Sequence, residues 1–239
     1  MVYSKQIKAQ TSFCGANCNL SPIGFMQIVQ DEICEYFETL GVGQISVKNE
    51  HNSIWVFIQN KIKIFENIFW NEDMSVKCFI SFRSQAKLIV DTHFCALDGK
   101  TKAYAKTEIC LVDLSSFRLR RISGEILPNN FQVQNSMFDF GFEKFEDRDF
   151  PFITSTKVES THIDFCGHCN NVEYLRILLN TYSALELKEF DVCGIEVAYI
   201  SQALEGETLD IYKKIEGKEH FFEIKRQGKD VLKCKIDIR

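Results

Sequence analysis

The strongest constraint on the fold is an order of elements that occurs twice. Phe13-Cys-Gly-Ala-Asn-Cys-Asn19 is echoed by Phe165-Cys-Gly-His-Cys-Asn170, and each runs straight into an apolar-periodic segment. After the first, Ile23, Met26, Val29, Ile33, Phe37 and Leu40 recur at three- and four-residue spacing, which puts them on one face of a helix. After the second, Val172, Leu175, Leu178, Leu179 and Tyr182 do the same. The first helix has a clear start, with Ser21 as N-cap and Pro22 at the first helical position, and Gly41 closes it as the residue just past the end. That spacing predicts a helix of about 18 residues, ~27 Å long at 1.5 Å per residue. A helix so long with one apolar face needs a sheet to cover it.

The sheet follows in sequence. Residues 3–13 read as an edge or first strand. Trp55 to Phe65, Ser75 to Phe82, Leu88 to Leu97 and Ala103 to Asp113 are rich in Ile, Val, Phe and Thr, and Asp98-Gly99-Lys100 marks a hairpin turn. A helix followed by successive strands with no helix between them indicates an antiparallel sheet. Weaker echoes fall in the same order. Ile62-Lys-Ile64 pairs with Ile195-Glu-Val197, and His93-Phe94 before Asp98-Gly-Lys100 pairs with His220-Phe221 before Gln227-Gly-Lys229. The chain therefore reads as an α+β protein made of two copies of a helix-plus-sheet unit. The expected division is residues 1–123, a linker over 124–150 rich in Asn, Asp and Gly with an ordered piece near Phe131–Phe142, and a second copy over 151–239.

Composition excludes some function classes. A net charge of −5 leaves no global basic surface for nucleic acid. No apolar run approaches the ~20 residues that span a bilayer, and the N-terminus lacks a signal-peptide core, so a cytoplasmic protein without membrane association is expected. The ten cysteines then read as reduced thiols acting mainly as small hydrophobes. Cys166-Gly-His-Cys169 looks superficially like a disulfide-exchange motif, but Phe165 stands where Trp usually does and no parallel-strand pattern precedes it. A zinc site from Cys14, Cys18, Cys166 and Cys169 is conceivable if a duplicated fold brings the two loops together. The twenty-one phenylalanines supply core volume and material for an apolar pocket.

Chemistry is densest in Thr161-His-Ile-Asp-Phe-Cys-Gly-His-Cys-Asn-Asn-Val-Glu-Tyr174, which brings an acid, a thiol, an imidazole and two amides to a helix N-terminus. Free backbone N–H groups and the positive end of the dipole can hold developing negative charge there. This run resembles the Asp-x-Asn-x-His-x-Asn-Asn-x-x-Tyr signature of the acyl-ACP thioesterases, which consist of two hotdog domains in one chain. Asp164, His168, Asn170, Asn171 and Tyr174 fall in register, while Cys166 stands where the family has Asn. The resemblance extends over nearly the whole chain. Asn19-Leu-Ser-Pro22 with Leu40-Gly-Val-Gly43, Ile54-Trp-Val56 with Lys61-Ile-Lys63-Ile64, and Ile109-Cys-Leu-Val-Asp-Leu114 look like first-domain elements; Tyr199-Ile-Ser-Gln-Ala203 with Gly206-Glu207 looks like second-domain strand elements.

The resemblance implies a tandem hotdog fold and hydrolysis of fatty acyl thioesters of acyl carrier protein, with no metal or organic cofactor. It gives Asp164 an orienting role and His168 a hydrogen bond to the water or carbonyl. It gives the oxyanion to backbone N–H groups near Cys169–Asn171, and substrate contacts to Asn170, Asn171 and Tyr174. Gln202 falls at the place of a catalytic Glu, and an amide can orient a water but cannot take its proton. Cys166 reads either as an inert thiol or, with His168 two residues on, as a nucleophile. His93 and His220 read as structural. Arg118, Arg120 and Arg121 read either as a solvated face or as a docking patch for the acidic carrier, with Lys213, Lys214, Lys218, Lys225 and Arg226 as further positive surface. Rival functions are an acyl-CoA thioesterase on the same fold and a non-catalytic acyl-binding protein. Monomer and homodimer are both open.

Overall fold

Ser21 starts the first helix as its side chain dictates: its Oγ accepts the Gly24 N–H at 3.0 Å, and Pro22 opens the helix without wasting a donor. The computed structural model describes residues 1–146 and 148–239. The first half holds β1 (Tyr3–Lys8), α1 (Pro22–Thr39, 18 residues), α2 (Gln44–His51), β2 (Ser53–Ile64), β3 (Asp73–Arg83), β4 (Lys87–Ala96), β5 (Thr101–Asp113) and β6 (Arg118–Arg120). The second holds β7 (Phe152–Lys157), α3 (Asn171–Leu179), α4 (Ala184–Glu189), β8 (Val192–Tyr199), β9 (Thr208–Glu216), β10 (Glu219–Arg226) and β11 (Lys229–Ile238). All strand pairs are antiparallel.

The strands form one sheet in the order β1-β3-β4-β5-β2-β8-β11-β10-β9-β7, with β6 attached to β5. Each half repeats the same internal order, and the halves join edge to edge through β2 and β8. This is the expected tandem hotdog, with the two sheets fused into a continuous one. The α1 face of Phe25, Met26, Val29, Ile33, Tyr36 and Phe37 is buried on the first half-sheet, where Phe25 meets Phe94 edge-on at 5.3 Å. Each such fully buried apolar side chain is worth roughly 1.5–3 kcal/mol. In the second half the predicted long helix is shorter: α3 has nine residues, and the chain restarts as the six-residue α4 behind a Ser183 capping box.

Residues 124–146 cross the sheet face opposite α1. The Gln134 N–H donates to the Ile80 carbonyl at 2.9 Å, Ser136 donates to the Asp91 carboxylate at 2.5 Å, and Phe138 stacks on Phe65. Alternation along β4 puts Phe94 toward α1 and Asp91 and His93 toward this covering segment. His93 is buried against Thr101 and Cys95, and His220 is buried with Nδ1 at 2.5 Å from the Tyr182 hydroxyl. Burial pushes both imidazoles below the usual histidine range. Both have protein partners, in keeping with a structural reading.

The repeat is real in three dimensions, but its register is displaced by three residues from the sequence echo. The bridge Cys14–Leu20 matches Ile163–Cys169. Gly15 N–H donates to Asn19 O as Asp164 N–H does to His168 O, and Leu20 N–H donates to Ile68 O as Cys169 N–H does to Ala203 O. Cys18 and Gly167, both at positive φ (60° and 83°), turn the two loops, and Ser21 and Asn170 cap the two helices. Asn17 thus corresponds to Cys166, Asn19 to His168 and Asn67 to Gln202. The Phe-Cys-Gly likeness is a coincidence of composition within a genuine duplication.

Candidate active site

The pairing of β2 with β8 runs from Lys63–Gly194 to Gln59–Ala198 and stops there, next to a bulge between Phe57 and Gln59. Beyond it the two strands diverge, and a cavity of about 440 Å³ occupies the fork. Its apolar wall comes from the first half: Ile33 and Phe37 of α1, Trp55 and Phe57 of β2, and Phe117. Its polar end comes from the second half: Asp164, Cys166, His168, Asn170, Asn171, Tyr174 and Gln202 all line it. Every second-half residue given a catalytic or substrate-binding role from the sequence therefore lines one space. Among the described residues no group of three His, Cys, Asp or Glu side chains is arranged to hold a metal, so the zinc alternative gains no geometry.

The loop is held by its own acid. Asp164 Oδ1 accepts the Cys166 N–H at 2.8 Å, and the Asp164 carbonyl accepts the Gly167 N–H at 2.9 Å. This winds the chain so that His168 faces the cavity. Its Nδ1 is buried with no protein partner, an arrangement that is costly unless a ligand or water completes it. Asn170 caps α3 by accepting the Val172 N–H at 2.9 Å. Tyr174 is buried, and its hydroxyl accepts the Ala203 N–H at 2.9 Å, which ties α3 to the residue after Gln202. Arg226 donates to the Gln202 carbonyl at 2.9 Å and pairs with Glu207. The backbone at Gln202 and Ala203 is thus held from both sides, and Gln202 lines the cavity.

Two of the expected oxyanion donors are occupied. The Cys169 N–H goes to Ala203 O at 2.9 Å and the Asn170 N–H to His162 O at 2.8 Å. Asn171, at the first helical position, keeps its N–H outside the helix ladder. Burial pushes the Cys166 thiol above the ordinary cysteine range and the Asp164 carboxylate adds to this, while a hydrogen bond from Gln44 works the other way. Burial likewise raises Cys34, on the α1 wall, to about 11 and Cys169 to about 12. These thiols are protonated near neutrality. Among the described residues no hydrogen bond joins Cys166 to His168.

The structural register also explains why, among the described residues, the second copy and not the first gathers such a set of groups. The counterparts of Cys166, His168 and Gln202 are Asn17, Asn19 and Asn67, so the first loop has no base. Asn17 Nδ2 donates to Phe190 O and Asn67 Nδ2 to Asp191, each at 3.1 Å, and Arg239 bonds Phe65 O, Asn67 and Asp191. The Asn17 and Asn67 side chains are thus spent on the chain segment between α4 and β8, while Asn19 Oδ1 is buried without a partner.

The basic cluster is split by the fold. Arg118 is exposed and directly follows cavity-lining Phe117; Arg120 donates to the His51 carbonyl and to Ser53, and Arg121 to Gln85. Lys214, Lys225 and Arg226 are committed to Glu216, Glu223 and Glu207. An open groove of about 620 Å³ between Arg83, Gln85 and Arg121 carries no comparable set of groups, since the Arg83 guanidinium is bonded to the Leu127 and Pro128 carbonyls. Sequence reading missed α2 and with it Gln44, because only Val47 of that helix is buried; Gly43 before it and left-handed Asn52 after it were the available signals.

The fold has counterparts among known proteins. Residues 146–239 match the family described as the acyl-ACP thioesterase C-terminal domain. A search of curated proteins finds no match. Among solved structures, an acyl-ACP thioesterase from Bacteroides thetaiotaomicron superposes with a TM-score of 0.87 at 17% identity, covering 100% of this chain and 98% of that one. A putative oleoyl thioesterase from Lactobacillus plantarum gives 0.87 at 20%, covering 100% and 96%. The 12:0-ACP thioesterase from Umbellularia californica gives 0.88 at 15%, covering 100% and 97%. Among the described residues no helix is long and apolar enough to cross a membrane. The chain thus has the tandem hotdog fold of these proteins throughout, and its residues 146–239 match the acyl-ACP thioesterase C-terminal domain family.

Proposed function

We propose that the chain hydrolyses fatty acyl thioesters of acyl carrier protein to free fatty acid, with the acyl chain between α1 and β2 and the thioester at the α3 N-terminus. The observation that carries this reading is the unpartnered, buried Nδ1 of His168 in a cavity with an apolar wall. His168 takes a proton from the attacking water, and Gln202 orients that water without accepting the proton. The tetrahedral oxyanion forms near Asn171 at the positive end of α3, and collapse expels the carrier thiolate, which recovers its proton from His168. Asp164 holds the loop. Cys166 works as a protonated thiol, not as a nucleophile. Division into 1–123, 124–150 and 151–239 belongs to the same reading, as do cytoplasmic location and a place in fatty acid biosynthesis.

A hydrolysis screen over C4 to C18 acyl-ACPs, with the CoA thioesters alongside, tests it. Release of fatty acid with a chain-length optimum is expected, and inertness toward every carrier thioester rules it out. Docking of the acidic carrier falls to Arg118 and Arg121, with Arg120 holding the β6 strand against β2. Arg118→Glu with Arg121→Glu should raise KM for acyl-ACP several-fold at unchanged kcat, and leave small thioesters unaffected. An unchanged KM removes the docking role. A non-catalytic acyl-binding protein is the second reading, favoured by the amide at Gln202; a large gain of hydrolysis in Gln202→Glu would mark a decayed site.

A further inference from the structure

Gln44 is the first residue of α2 and belongs to the other half of the molecule, yet its side chain reaches into the fork beside the α3 loop. Where β2 leaves β8, the Trp55 N–H has lost any strand partner on that side, and Gln44 Oε1 accepts it at 2.9 Å. A backbone N–H can only donate, so this bond fixes which end of the amide is which. The Nε2 end therefore points the other way, and it stands 3.4 Å from Cys166 Sγ as a donor. An amide nitrogen carries two N–H bonds. One meets the sulfur; the other is left for the cavity that Gln44 lines.

The α3 loop is short of donors. The Cys169 and Asn170 N–H groups are bonded within the protein, and residue 166 offers a thiol, a weak donor beside an amide. We propose that Gln44 supplies the missing amide N–H to the thioester carbonyl, so that the oxyanion site is completed from the first half of the chain and the two halves share one reaction centre. The inference rests on the thioesterase reading. It makes Cys166 the small residue that leaves room for the incoming amide: an asparagine there would carry its own amide into the space that Gln44 Nε2 fills.

The test is a reciprocal exchange in the full-length protein, assayed on the best acyl-ACP. Gln44→Ala should lower kcat ~10²-fold or more, the usual effect of deleting one oxyanion donor, with KM little changed. Gln44→Glu keeps an acceptor for the Trp55 N–H but has no N–H to give; it should keep the wild-type melting temperature and lose kcat as Gln44→Ala does. Adding Cys166→Asn to Gln44→Ala restores an amide from the loop side and should recover most of the lost kcat, which a merely structural Gln44 would not permit. Full kcat in Gln44→Glu, or a double variant no better than Gln44→Ala, overturns the inference. Absence of hydrolysis by the wild-type protein instead overturns the thioesterase reading beneath it.

Discussion

Replacing His168 with alanine is expected to lower kcat for acyl-ACP hydrolysis by ~10²–10⁴, the range supplied by a positioned general base. The melting temperature should stay at the wild-type value. The fold explains why the two effects separate. The bond that shapes the loop uses the His168 carbonyl, which accepts the Asp164 N–H at 2.9 Å and survives the substitution. The imidazole adds no bond from its buried Nδ1 that the protein would miss. A variant that hydrolyses at the wild-type rate removes the imidazole from the chemistry. One that loses rate and stability together makes it a structural residue.

The second large effect is on stability. Trp55→Ala should cost about 3–5 kcal/mol, as for other large aromatic truncations in cores. Trp55 is 7% exposed and packs edge-on against Phe37 at 5.1 Å, and its indole Nε1 donates to the Val42 carbonyl at 2.8 Å. Truncation opens a void between α1 and β2 and strips the Val42 carbonyl of its partner, so the cavity and orphan-acceptor penalties fall on one site. Urea unfolding monitored by circular dichroism measures it. A midpoint shift equivalent to less than ~1 kcal/mol, the scale of an ordinary surface change, would mean that this wall of the fork contributes little to the fold.

What the sequence disclosed follows from how local each signal is. Ser21 and Pro22 announce α1 because capping is settled within four residues, and the strand cores announce themselves by β-branched and aromatic runs. The weaker elements depend on distant partners. The amphipathic pattern from Val172 to Tyr182 stops early as a helix because Thr181 and Tyr182 turn back on Leu178 and Leu179. α2 carries one buried residue and so has almost no periodicity to detect. The duplication was legible as an order of elements but not as a register, since register is decided by backbone bonds such as Leu20–Ile68 and Cys169–Ala203.

The site divides in the same way. Asp164, His168, Asn170, Asn171 and Tyr174 share one motif, Gln202 lies in the loop just past β8, and one cavity gathers them. Gln44 was invisible because nothing in its neighbourhood hints at a loop more than a hundred residues away. Which N–H groups stay free could not be read from composition either; the bonds to Ala203 and His162 consume two of those nominated. The Arg118–Arg121 run looked uniform in sequence, yet β6 commits Arg120 to the backbone at His51 and leaves Arg118 outward.

In the proposed reaction a fatty thioester reacts in the fork between β2 and β8, with groups from both halves around its carbonyl. The most direct test is a crystal structure with a non-hydrolysable acyl-pantetheine amide. The acyl chain is expected along Ile33, Phe37 and Trp55, and the amide carbonyl within hydrogen-bond reach of His168 and Gln44. An acyl chain bound in the groove between Arg83 and Arg121, or a carbonyl far from both side chains, would contradict it.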